Sequence, residues 1–145
     1  MIPLIHIIAI LPLVFISYPY IGLINSIFLF LGGWAFDIDH YLYCIVKHKN
    51  FLLKHCYKFH HPFAKEKDLL HIFHVVEFYI LVFIIGLFIE PVMYLFYGLV
   101  YHISFDFIKG IYLKYYKKEK EANNSRALSL IMWLKRHSLQ NKTNQ

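Results

Sequence analysis

The sequence predicts an all-α protein, an integral membrane bundle of about four transmembrane helices followed by a C-terminal amphipathic helix. The chain has 145 residues, of which 59% are hydrophobic, and a mean hydropathy of +0.48. This apolar content is above that of ordinary soluble domains. The apolar residues are gathered into runs, and the basic residues flank those runs, as they do in membrane proteins.

The transmembrane domain is predicted to cover residues 1–116. Its spans are expected at residues 2–17, 20–46, 69–89 and 92–113. Ser17 to Tyr20 contain a proline and are predicted to form the first turn. Only Glu90-Pro91 separates the last two runs, so these two helices must form an antiparallel hairpin.

Residues 117–145 are predicted to be a basic cytoplasmic tail. Asn124 or Ser125 would cap a short helix whose apolar residues share one face. This pattern favours an amphipathic helix lying on the membrane surface, and packing against the bundle is the alternative.

The net charge of +6 is distributed as expected for a membrane topology. The basic residues are confined to residues 47–67 and 109–142, which flank the open ends of the last hairpin. The positive-inside rule then places both termini in the cytoplasm of a multi-pass inner- or plasma-membrane protein. The expected partner of these residues is the anionic lipid bilayer and not nucleic acid, and the oligomeric state is left open.

The two cysteines, Cys44 and Cys56, do not form a C-x-x-C pair or belong to a larger set. They are therefore expected to be inert thiols, and neither a disulfide scaffold nor a thiolate zinc site is indicated.

Ionisable residues of the last two runs fall at matching depths when counted from Glu90. His74 lies 16 residues before this turn and Asp106 lies 16 after it. Glu77 lies 13 residues before it and His102 lies 12 after it. Since antiparallel helices rise equally from a shared turn, these groups are expected to face one cavity near the cytoplasmic side.

The second run ends in a polar cluster at the same end, and His71 would share a helical face with His74 and Glu77. The predicted metal ligands are Asp37, Asp39, His40, His71, His74, Glu77, His102 and Asp106. A carboxylate within a membrane helix costs about 2.5–3.5 kcal/mol, and a divalent cation bound by imidazole and carboxylate would compensate. Zinc is the leading candidate, with manganese or iron as alternatives, and there are ligands enough for two ions. His6 has no signalled partner and is expected to be structural.

Three segments carry a resemblance to a known family. These are Gly32 to His40, which ends in Asp-Ile-Asp-His; His71 to His74; and Gly98 to Asp106, which contains His-x-x-x-Asp. Over residues 20–110 the chain resembles the LexA-regulated family of inner-membrane metal-dependent hydrolases. The resemblance implies metal-ligand roles for Asp37, Asp39, His40, His74, His102 and Asp106. Phe36 stands where that family usually has proline, the family's His-Arg-Gly is missing, and Val75 follows His74 in place of serine.

The leading functional hypothesis is a membrane-bound, metal-dependent hydrolase acting on a lipid or other amphiphilic ester or phosphoester. Glu77 or Asp39 is the candidate general base, because each adjoins a histidine cluster. A metal-handling or transport protein and a non-catalytic structural membrane protein are the alternatives. Transport would need polar groups along a path through the bilayer, and a structural protein would contain no ion.

Overall fold

The computed structural model describes residues 3–60, 70–115 and 127–143, and all regular elements within these ranges are helical. The α-helices are α1 (Pro3–Trp34), α2 (Ile38–His48), α3 (Leu53–His60), α4 (Val76–Gly86), α5 (Glu90–Tyr115) and α6 (Leu130–Thr143). Short 3₁₀ turns at Ala35–Asp37 and Ile72–His74 precede α2 and α4. The predicted all-α class is confirmed.

Helix α1 is two antiparallel legs joined at Gly22. Gly22 has φ 76° and ψ 175°, a backbone conformation that favours glycine. In a continuous helix, His6 and Asp37 would be about 46 Å apart, whereas His6 Nε2 lies 3.7 Å from Asp37 Oδ2. The chain therefore reverses at Gly22. The predicted turn at Ser17 to Tyr20 is wrong, because those residues are helical and Pro19 lies inside the first leg.

The second leg of α1 packs closely against α5 through two glycines. A Cβ atom added at Gly32 would collide with the carbonyl oxygen of Leu95, and one added at Gly98 would collide with that of Leu29. Small residues that let two backbones approach in this way are typical of helix contacts in membranes. The contact fixes the position of α5 beside the end of α1, where the polar cluster begins.

Helices α4 and α5 form the predicted hairpin, with the reversal at residues 87–89. The Asn25 side-chain amide, one turn after Gly22, donates a hydrogen bond to Glu90 Oε1 at 2.9 Å. The Gly22 and Glu90 turns therefore lie at the same end of the molecule. The polar residues of both hairpins are carried toward the opposite end.

The predicted third span is shorter than expected. Residues 72–74 form a 3₁₀ turn, and Val75 is extended with φ −91° and ψ 148°, so α4 begins only at Val76. With 11 residues, α4 is about 16 Å long and cannot cross the hydrocarbon core as a helix. His71 and His74 consequently do not share a helical face with Glu77, which corrects the prediction.

The cysteines also differ from the expectation. Helices α2 and α3 are joined by a disulfide between Cys44 and Cys56, and both residues are buried. Lys49, in the left-handed conformation, ends α2 and allows the chain to reverse toward α3. Cys44 and Cys56, which were predicted to be inert thiols, therefore link two helices covalently within the segment that joins the two hairpins.

The C-terminal segment is attached beside the start of α4. The Val76 N–H donates a hydrogen bond to the Leu128 carbonyl at 2.9 Å. The Ser129 hydroxyl accepts one from the Met132 N–H at 3.3 Å, so Ser129 is the N-cap of α6. The predicted caps Asn124 and Ser125 lie outside the described residues.

Two stretches, Leu4–His48 and Glu90–Tyr112, are long and apolar enough to cross a membrane. Their outer surfaces carry large apolar side chains, among them Phe15 and Ile16, which are 73% and 70% exposed. In contrast, much of the buried interior at one end is polar. This inversion of the usual distribution places the ionisable side chains inside and the apolar ones outside.

Candidate metal centre

Four segments deliver buried ionisable side chains to one place. His6 comes from the first leg of α1, and His102 and Asp106 come from α5. The 3₁₀ turn before α2 supplies Asp37 and the first turn of α2 supplies Asp39 and His40, while the segment before α4 supplies His71 and His74. Each segment reaches the site because the two hairpins begin at the opposite end and rise side by side.

Asp37 lies at the centre of this cluster. Its Oδ1 lies 3.5 Å from both His40 Nε2 and His102 Nε2, and 3.9 Å from His74 Nε2. These distances exceed those of N–H···O hydrogen bonds, and among the described residues neither Asp37 oxygen accepts one. Ligand atoms at about 2.0–2.2 Å from a tetrahedral ion are about 3.3–3.6 Å from one another. The His40 and His102 nitrogens lie at this spacing from Asp37 Oδ1, and the His74 nitrogen lies slightly farther away.

His74 and His102 present their Nε2 atoms to each other at 3.2 Å. His102 Nδ1 lies 3.1 Å from the Gly33 carbonyl oxygen, which can only accept a hydrogen bond. His74 Nδ1 lies 2.9 Å from Asp39 Oδ2, an acceptor when ionised. Both Nδ1 atoms therefore carry the proton, and in the neutral rings both Nε2 lone pairs face the same point. Two lone pairs at this distance repel unless a cation or a proton lies between them.

Asp39 uses one of its carboxylate oxygens to orient His74, so its two oxygens do not both face Asp37 at the centre of the cluster. Its Oδ2 accepts the Phe73 N–H at 3.1 Å as well as the His74 Nδ1–H. A carboxylate on the outer nitrogen of a ligating imidazole fixes its orientation and raises its basicity. The predicted ligand Asp39 is thus placed where it positions His74.

His71 is brought to the other side of Asp39. Asp39, His40 and His71 form a second group of buried side chains whose ligand atoms lie within 4.8 Å of one another. The His40 and His71 rings are 4.0 Å apart between centroids. His71 therefore belongs to the edge of the cluster that also contains His40.

Asp106 and His6 complete the cluster on the side of α5. Asp106 Oδ1 lies 3.4 Å from His6 Nε2, and the side chains are 8% and 1% exposed. The His6 ring packs against the His102 ring with 4.1 Å between centroids and 31° between planes. His6 was expected to be structural, and a lone histidine in an apolar run carries no signal in sequence spacing that could have identified it.

Glu77 is the predicted site residue that the structure places elsewhere. Its carboxylate accepts hydrogen bonds from the Ser129 hydroxyl at 2.5 Å and from the Leu130 and Ile131 N–H groups at 3.0 and 3.2 Å. Both oxygens are thus engaged with the N-terminus of α6, where a negative charge is favourable. Glu77 joins none of the ligand groups within the described residues, and the assignment of Glu77 as ligand or base is corrected to a cap of α6.

The donor set fits a divalent transition-metal ion. Around the His74–His102 contact the available atoms are imidazole nitrogens and one carboxylate oxygen, a combination that suits zinc, iron or manganese. No thiolate is available from the cysteines, because both are in the disulfide. The outer nitrogens of both central histidines already have acceptors, as metal-ligating imidazoles require.

Comparisons with protein families, with curated proteins and with solved structures gave no match to this chain.

Proposed function

We propose that the protein is a membrane-bound, metal-dependent hydrolase whose ion is held by Asp37, His40, His74 and His102. The observation that carries this proposal is the convergence of the His74 and His102 Nε2 lone pairs at 3.2 Å, beside Asp37 Oδ1. A cation at that point removes the repulsion of the lone pairs and the cost of a buried carboxylate together. The resemblance in the same residues to the LexA-regulated inner-membrane hydrolases is consistent with this proposal.

The lengths and apolar surfaces of the helices support the proposed membrane setting. The first leg of α1, residues 3–21, is about 28 Å long, close to the hydrocarbon thickness of about 30 Å. In our proposal both legs of α1 and helix α5 cross the bilayer, whereas α4 extends from the hairpin turn only as far as the depth of the site. His102 lies 12 residues after Glu90, so the site is about 18 Å from the Gly22 and Glu90 turns. In our proposal these turns face outward, and the site is nearer to the cytoplasmic face.

The residues of the cluster would divide the work of hydrolysis. A bound divalent ion would supply Lewis acidity that activates water near neutral pH. Asp39 holds the His74 ring in its ligating orientation through the 2.9 Å contact. Asp106 Oδ1, 3.4 Å from His6 Nε2, would add a carboxylate to the cluster on the side of α5.

The substrate class is proposed from the location of the site. A cluster of side chains buried among helices with apolar outer surfaces is reached most directly by a molecule that is itself in the membrane. An amphiphilic ester or phosphoester satisfies this condition, since its tail remains among the lipids while its polar group reaches the cluster.

The proposal is tested by the metal content of the purified full chain, compared with that of His102→Gln and His74→Gln variants. We expect bound zinc, manganese or iron in the wild type and a strong loss in both variants. His137→Gln on α6 is the matched control. His137 Nδ1 lies 3.1 Å from the Trp133 carbonyl oxygen of the same helix, and His137 is in none of the ligand groups of the described residues. This variant should retain the wild-type metal content.

A structural protein without an ion would hold the same histidines together through a shared proton. Such a protein would contain no metal, and adding zinc would not raise its melting temperature. In our proposal, zinc at 100 times its Kd stabilises the folded chain by about 2.7 kcal/mol. The hydrolytic part of the proposal is tested with p-nitrophenyl phosphate and p-nitrophenyl butyrate as substrates. We expect the wild type to cleave one of them in a reaction that a chelator abolishes, and we expect no cleavage by His102→Gln.

A further inference from the structure

We infer that the centre holds a second divalent ion, between His6, Asp37 and Asp106, and that the Asp37 carboxylate bridges the two ions. This inference rests on the proposed metal centre and extends it from one ion to two. It assigns a ligand role to His6, which neither sequence spacing nor the family-like segments indicate.

The two oxygens of Asp37 face different sets of ligands. Oδ1 is directed toward His40, His74 and His102, whereas Oδ2 lies 3.7 Å from His6 Nε2. The Asp37 side chain is 3% exposed, and neither oxygen accepts a hydrogen bond within the described part of the chain. A carboxylate that is buried between two groups of donors, with one oxygen toward each, has the arrangement of a bridging ligand.

The atoms near Asp37 Oδ2 are ones that a second ion could share. His6 Nε2 lies 3.7 Å from Asp37 Oδ2 and 3.4 Å from Asp106 Oδ1. As around the first position, these separations are too long for hydrogen bonds and close to those of neighbouring ligands on one ion. His6, Asp37 and His102 also form a group of ligand atoms that lie within 4.8 Å of one another.

Charge favours two ions over one. Asp37, Asp39 and Asp106 bring three carboxylates into the site. The side chains that approach Asp37 are imidazoles, which are neutral when they bind a metal. One divalent cation leaves part of this negative charge uncompensated in a buried place, which is costly. Two-metal hydrolytic sites have ions about 3.5–4 Å apart, a separation that one bridging carboxylate spans.

The test is the zinc stoichiometry of the full chain in detergent, measured by mass spectrometry after removal of loosely bound metal. We expect two zinc ions per wild-type chain and one in His6→Gln, with two retained in His137→Gln. One ion in the wild type, or two ions in His6→Gln, would overturn the second site and leave the proposed function standing. A wild-type chain without metal would instead defeat the proposed function itself.

Manganese spectroscopy of the unaltered protein decides the matter if His6→Gln fails to fold or loses both ions. With Mn²⁺ bound, we expect the electron paramagnetic resonance spectrum of an exchange-coupled pair. An isolated Mn²⁺ signal at one ion per chain contradicts the bridge. Asp106→Asn provides an independent variant, in which the coupled signal should give way to that of a single ion.

Discussion

Replacing Asp39 by Asn separates its role as a positioning residue from the alternative role of general base. Asp39 Oδ2 accepts both the His74 Nδ1–H at 2.9 Å and the Phe73 N–H at 3.1 Å, and its side chain is 7% exposed. Asparagine keeps the size and one accepting oxygen but removes the charge behind the His74 imidazole. The ring should lose basicity and fixed orientation, while the atoms of the metal position itself remain.

The magnitude follows from this outer contact. Loss of such a hydrogen-bond partner behind a ligating histidine typically weakens metal binding by about 10–100-fold, which corresponds to about 1.4–2.7 kcal/mol. The effect should appear in the zinc Kd, measured by competition with a chromogenic chelator. Glu90→Gln is the matched control, since Glu90 contacts Asn25 at the far end of the bundle and should leave the Kd unchanged.

A different result would refute the positioning role. If Asp39→Asn binds zinc as tightly as the wild type and loses only catalytic rate, Asp39 is a base and not an orienting group. If it loses no affinity and no rate, the contact with His74 has no part in the function. Both outcomes are read from the same two preparations.

Three further predictions concern the scaffold. Gly98→Val should destabilise the chain by about 1–3 kcal/mol in thermal or denaturant unfolding, because a side chain there collides with the Leu29 carbonyl oxygen. An unchanged stability would mean that the two helices can separate freely. Glu77→Gln should weaken the attachment of α6, seen as faster hydrogen exchange at its first turn, while the metal content stays constant; loss of metal would return Glu77 to the centre. The disulfide between Cys44 and Cys56 favours an oxidising compartment, whereas the basic residues of the same segment favour the cytoplasm, and alkylation in cells without added reductant decides between them. Labelled cysteines would place the segment in the cytoplasm, as the proposed topology requires, and a fully oxidised pair would reverse that topology.

The site residues on α5 were the most accessible to sequence reasoning. His102 and Asp106 are one helical turn apart, and their register with His74 follows from counting residues from the Glu90 turn, which the structure retains. The all-α class follows equally from local properties, namely long apolar runs without strand alternation. These features depend on spacing along the chain, which sequence patterns record well.

Other features depend on contacts that spacing does not record. Pro19 suggested the first turn, yet a proline can remain inside a helix packed in an apolar setting, and the reversal uses Gly22 instead. The extended Val75 breaks the helix that would have aligned His74 with Glu77. Glu77 then meets Ser129, 52 residues later, a tertiary contact with no local signal.

Neither the position of His6 in the cluster nor the pairing of the two cysteines could be predicted from the spacing of residues along the chain. His6 reaches the cluster only because α1 folds back on itself at Gly22, so that its first leg lies beside Asp37 and Asp106. The disulfide likewise depends on the reversal at Lys49 that brings α3 back to α2. Both are consequences of turn positions that local composition predicted in the wrong place or not at all.

The central claim is that a divalent ion sits where the imidazoles of His74 and His102 converge beside Asp37. X-ray absorption at the zinc edge on the purified, zinc-loaded chain tests it most directly, because the spectrum reports the atoms bound to the metal. We predict nitrogen and oxygen neighbours at about 2.0–2.2 Å, with the outer-shell scattering of imidazole rings. Sulfur neighbours at about 2.3 Å, or zinc surrounded by water alone, would contradict the claim.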